Sequence, residues 1–125
     1  MYRKTFDVSA AAWITNRAAR VFLNLGAVKN LARVELNGRD LGVLWCPRWR
    51  VDITGVLQAE KNRLVIEVAN LWRNRLIGDL SLPEARRFAW TTCNPFKPDS
   101  PLLPSGLLGP VTIQMADSNE RPPRK

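Results

Sequence analysis

Between residues 70 and 79 the chain sets Asn70, Trp72, Asn74, Arg75 and Asp79, directly after an apolar alternation over Leu64, Val65, Ile66, Glu67 and Val68. These side-chain types together can recognise a sugar. An indole stacks on the apolar C–H face of a pyranose ring, and amides, a guanidinium and a carboxylate exchange hydrogen bonds with its hydroxyls. Two further tryptophans join the group: Trp45 precedes Cys46-Pro47 where a strand runs out, and Trp90 lies in a long proline-rich segment. The candidate carbohydrate-binding residues are therefore Trp45, Asn70, Trp72, Asn74, Arg75, Asp79 and Trp90. Trp49 alternates with Val51 and Ile53 and is read as core. The same polar cluster has a structural reading. A buried polar knot would pin the segment that follows onto the domain, because each unpaired buried polar group costs about 1–3 kcal/mol. The knot, together with a role at a domain interface, is the reading preferred here, and direct sugar contact comes second.

Hydrolytic chemistry is a separate question. Glycoside hydrolysis generally uses two carboxyls about 5–9.5 Å apart. The candidate pair beyond the strand is Asp79 and Glu84, but both have simpler work: Asp79 pairs with Arg75 or caps a turn, and Glu84 is solvated beside Arg86 and Arg87. No catalytic residue is assigned. The chain has no histidine, which removes Ser-His-Asp and Cys-His chemistry and most transition-metal sites. Its two cysteines, Cys46 and Cys93, make neither a disulfide framework nor a zinc site and are expected as free, partly buried thiols. The glycines of the stretch from Ser105 to Pro110 lack the spacing of a phosphate loop.

The net charge of +8 sits mainly in the first fifty residues, which carry +6, but it is spread singly and never forms a run of five basic residues. An anionic polymer is a conceivable partner for such a surface. Nucleic acid is not an expected one, since no recognition motif accompanies the charge. No apolar stretch reaches the ~20 residues that span a bilayer, and the opening residues lack the apolar region of a signal peptide.

The elements that would position the cluster are short strands. Alternation predicts them over 2–8, 20–25, 34–36, 41–45, 49–53, 64–69 and 111–115. Asn37-Gly38 between two of them is a strong hairpin signal, because both central residues of a type I′ turn need positive φ. Residues 26–31 read as a turn, and 55–58 as a single turn whose Val56 and Leu57 plug the core edge. Residues 73–110 hold six of the nine prolines, and only 88–92 looks strand-like there. The segment is rich in Leu, Trp and Phe, so it reads as a long ordered loop wrapped over the domain before the last strand. The class is an all-β sandwich, with a domain over 1–117 and a flexible basic tail over 118–125. A strand beginning at residue 2 suggests a domain truncated at its N-terminus, and an unpaired edge there favours self-association.

Four pieces in order, "YRKTFDV", "VFLNLGAVKNLARVELNGRDLGVLW", "RVDITGVL" and "NRLVIEVANLW", resemble the sugar-binding jelly-roll domain of family 2 glycoside hydrolases, a galactose-binding-like β-sandwich. The Asn-Gly hairpin and the Asp-Ile-Thr turn are its most specific parts. The remainder, "NRLIGDLSLPEARRFAWTTCNPFKPDSPLLPSGLLGPVTI", resembles the C-terminal end of the α-L-rhamnosidases of glycoside hydrolase family 106. The resemblance implies a non-catalytic accessory domain, with the rhamnosidase chemistry in a separate barrel-type domain. Its implied partners are that catalytic domain or a rhamnose-containing glycan, not a membrane, and the parent enzymes are periplasmic or secreted. It implies no cofactor. Galactose-binding-like domains often hold a structural calcium, but no Asp-rich loop in this sequence calls for one. Cys46 and Cys93 depart from the family pattern.

Overall fold

The computed structural model describes residues 1–9 and 20–116. Trp13 and the tail over 118–125 lie outside the described residues. The element order is β1 (Tyr2–Phe6), β2 (Arg20–Asn24), β3 (Ala27–Lys29), β4 (Leu31–Leu36), β5 (Arg39–Leu44), β6 (Arg50–Asp52), β7 (Asn62–Ala69), helix α1 (Arg73–Asp79), a 3-10 turn (Glu84–Arg86), β8 (Gly106–Gly109) and β9 (Thr112–Ala116). A four-stranded sheet runs β1-β7-β4-β5, a three-stranded sheet β6-β2-β9, and β3 pairs with β8. All strand pairs are antiparallel. The chain is the all-β sandwich that its patterning implies.

Period-two alternation builds the sheets. In β4, Ala32, Val34 and Leu36 are buried while Leu31, Arg33 and Glu35 face out, and in β7 Leu64 and Ile66 point the same way as their partners Leu36 and Val34. They join Val21, Leu23, Leu25, Val28, Ile53 and Leu57 in one buried cluster between the sheets. Each fully buried side chain of this kind contributes about 1.5–3 kcal/mol. Trp49 packs on the cluster from its margin. On the outer face of β2, Phe22 is covered instead by two guanidiniums, with Arg50 4.3 Å and Arg20 5.1 Å from its ring centre. Asn37 and Gly38 have φ of 54° and 80°, as the hairpin between β4 and β5 requires.

The Asp-Ile-Thr turn bolts β6 to β2. Asp52 Oδ1 accepts from Thr54 N–H (3.0 Å) and Thr54 Oγ1 (2.6 Å), and Thr54 Oγ1 in turn accepts from Val21 N–H (2.9 Å). Arg20 Nη2 donates to Asp52 Oδ2 at 2.6 Å. Partial burial pushes the Asp52 carboxyl up, but the two Thr54 donors and Arg20 outweigh it and hold the group below the usual carboxylate range. A depressed folded pKa stabilises fully above the unfolded value of about 3.9 and loses that contribution as pH falls through the folded value. The melting temperature of the protein is therefore expected to fall from pH 5 to pH 2, and less so in Asp52→Asn. The pair is partly exposed, so the difference is about 1 kcal/mol or less.

Three expectations change. Residues 27–29 and 106–109 form a strand pair, where a turn and a connector were expected. The segment 73–105 is not only loop, since it opens with α1, while the strand-like stretch 88–92 is not a strand. Cys46 and Cys93 are free, as expected, but both are exposed rather than partly buried. Cys46 follows the end of β5, and Cys93 lies in the irregular part of the 73–105 segment.

Candidate functional site

Strand β7 ends at Ala69, whose carbonyl accepts from Asn30 N–H at 2.9 Å, and the chain turns at once into α1. No side chain caps this seven-residue helix. It is held by what it touches. Ile77 is buried, and Arg73 donates to Pro101 O at 3.0 Å while its guanidinium lies 5.0 Å from the Phe96 ring centre. Asn74 clamps Leu103 in both directions: Nδ2 donates to its carbonyl (2.7 Å) and Oδ1 accepts from its N–H (2.9 Å). Asn94 Nδ2 reaches Leu76 O at 3.4 Å. The proline-rich segment is thus tied to the helix by polar side chains.

Asp79 is the centre of this knot. It is 3% exposed, and its Oδ2 accepts from the N–H groups of Phe88 (3.0 Å) and Ala89 (2.8 Å). Its Oδ1 is buried without a hydrogen-bond partner, with Arg75 Nη1 3.9 Å away. Arg75 instead lies over the Phe88 ring, 4.9 Å from its centre.

Around the knot the surface is aromatic. Trp72 is 66% exposed, Phe88 78% and Trp90 81%. Two shallow clefts meet at Phe88 and Ala89. One, of about 500 Å³, is lined by Asn70, Trp72, Asn74 and Arg75, and the other, of about 320 Å³, by Asp79, Glu84, Arg87 and Trp90. Six of the seven predicted residues therefore gather on one surface, divided between two clefts. Trp45 stands apart from both. Register places Leu44 beside Ala32 and Ala32 beside Val68, so Trp45 leaves the same end of the sheet as Asn70, two strands and about 10 Å away. Phe88 was missed, because the stretch that holds it reads as a strand.

The Asp79 carboxylate is enclosed by backbone donors, while Glu84, the second carboxylate of the same cleft, is exposed at the start of the 3-10 turn, and the cleft beside Trp72 has no carboxylate in its lining. Among the described residues no group of three or more His, Cys, Asp or Glu gathers as metal ligands.

The family profile described as "Glycosyl hydrolase 2 galactose-binding domain-like" matches residues 1–93. The chain belongs to that family. Strands β1 to β7, the Asn37-Gly38 hairpin and the Asp52–Thr54 turn of this galactose-binding-like domain lie inside the matched region, and β8 and β9 lie beyond it. The solved rhamnosidase from Novosphingobium sp. PP1Y is similar at 39% identity with a TM-score of 0.77, over 90% of this domain and 10% of that chain. A Formosa agariphila protein provisionally named beta-glucuronidase is 34% identical, over 91% of this domain and 12% of its own length. A beta-glucuronidase from Bifidobacterium dentium overlaps 52% of the domain at 29% identity and a TM-score of 0.44. The chain spans about a tenth of the length of the relatives it matches.

Proposed function

We propose that this domain is a non-catalytic accessory part of a rhamnosidase-like glycoside hydrolase, and that its face of Trp72, Phe88 and Trp90 packs against another domain of such an enzyme. One observation carries the reading. The similarity to the Novosphingobium rhamnosidase spans 90% of the chain, whereas the family profile stops at residue 93. The shared part must therefore include some of the proline-rich segment that α1 and Asp79 hold in place. The surface agrees: Leu71, Trp72, Phe88, Trp90 and Leu102 are each more than half exposed, and clustered apolar exposure of this kind marks interaction sites.

A specific observation favours a second reading, an independent carbohydrate-binding module. Exposed Trp72 and Asn70 share one cleft, and the Asn70 amide makes no side-chain hydrogen bond among the described residues. Isothermal titration of the folded chain with L-rhamnose and a rhamnose-containing oligosaccharide separates the two. Packing against a partner domain predicts no measurable heat. Binding at a millimolar Kd or tighter that disappears in Trp72→Ala would transfer the function to the second reading.

A further inference from the structure

The two sheets do not close alike on their two sides. On one side the edge strands β5 and β6 lie against each other. On the other, β1 and β9 are both edges, and a cleft of about 460 Å³ opens beside them. Core residues Leu23, Leu64 and Ile66 reach it from below, and Phe6, Leu107 and Ile113 form its apolar walls. Tyr2, Lys4 and Phe6 pair across β1–β7 with Ile66, Leu64 and Asn62, so they share the inward face of β1. Lys4 is thus a charged residue at an inward position of an edge strand, and Arg3 lines the same cleft. Neither makes an ion pair among the described residues.

We propose that this cleft receives an extended polypeptide segment that adds to β1 as a further strand and sets a carboxylate against Lys4. An edge strand offers unpaired backbone donors and acceptors, and side-chain pockets at alternate positions give such strand addition its specificity. The apolar lining selects apolar residues opposite Tyr2 and Phe6. The Lys4 ammonium would be stripped of water by an apolar residue opposite it, so an acidic one fits there. The segment then reads apolar-x-acidic-x-apolar. A second copy of this chain does not satisfy the pattern. Antiparallel pairing of two full β1 strands sets Lys4 against Lys4, and like charges directly opposite are destabilising.

The test uses the purified chain and two blocked heptapeptides, Thr-Val-Thr-Glu-Thr-Val-Thr and its variant with lysine for glutamate, followed by the amide resonances of β1. The glutamate peptide is expected to shift those resonances and to bind about fivefold more tightly than the lysine peptide, from one cross-strand charge pair. Lys4→Gln should erase the preference and Lys4→Glu should reverse it. Lys4 is exposed, so both variants should keep the wild-type Tm. Absence of binding by either peptide, equal binding of both, or a preference indifferent to Lys4→Glu would each overturn the proposal. So would self-association that shifts the same β1 amides, which would give the cleft to a second copy.

Discussion

Gly26→Ala is expected to destabilise the domain by about 3 kcal/mol, the combined scale of a left-handed backbone penalty and an overpacked contact. Gly26 has φ +68°, a conformation that a side chain disfavours. A Cβ there would overlap the carbonyl of Gly109 and come within 2.7 Å of Pro110 N. Both obstacles are backbone and cannot rotate away. The contact matters because Gly26 and Gly109 form a bridge where β3 and β8 come together, and β8 leads straight into the last strand. The control is Gly55→Ala. Nothing lies within 4 Å of a Cβ at that position and its φ is not positive, so its effect should stay within about 1 kcal/mol of wild type. Urea denaturation of the two variants measures both. A Gly26→Ala midpoint equal to wild type would mean that the two backbones do not approach this closely.

Asn62→Ala is expected to cost about 3–4 kcal/mol, since it leaves several buried groups without partners at once. Asn62 is fully buried. Its Oδ1 accepts from Gln58 N–H (2.8 Å) and Asn37 Nδ2 (3.0 Å), and its Nδ2 donates to Gln58 O (2.7 Å) and Phe6 O (3.4 Å). One amide therefore joins β1, the turn at 55–58, the β4–β5 hairpin and β7. Asn37 continues the chain of contacts, donating to Val56 O (2.8 Å) and accepting from Arg63 N–H (2.8 Å). Because the two amides share a hydrogen bond, Asn37→Ala and Asn62→Ala should be less than additive in a double-mutant cycle. Full additivity in chemical denaturation would contradict the network.

The two asparagines also mark what was legible in the sequence. Asn37-Gly38 announces its turn, because a local rule about positive φ is written in two adjacent residues. Nothing local says that the same Asn37 side chain reaches Asn62, twenty-five residues on. The alternating strands β4 and β7 were readable for a similar reason, since each buries one face. Strand β3 has only three residues and β8 is flanked by glycines at both ends, so neither carries a usable period. Helix α1 is two turns long and uncapped; its stability comes from Pro101, Leu103 and Phe96, which no window around residue 75 contains. The candidate site was legible by residue type but not by role. Trp72 and Trp90 are exposed as a binding surface needs, while Asn74 and Asp79 spend their polar atoms largely on the chain's own backbone.

The accessory role is tested most directly by exchange. The matching segment of the Novosphingobium rhamnosidase, about a tenth of that chain, is replaced by this domain, and turnover of an aryl α-L-rhamnoside is measured beside that of the isolated domain. The chimera should fold and turn over substrate at a rate near that of the parent, and Trp72→Glu with Trp90→Glu in the grafted domain should lower its Tm. The isolated domain should release no product. An inactive, unfolded chimera, or turnover by the isolated domain, would contradict the accessory role.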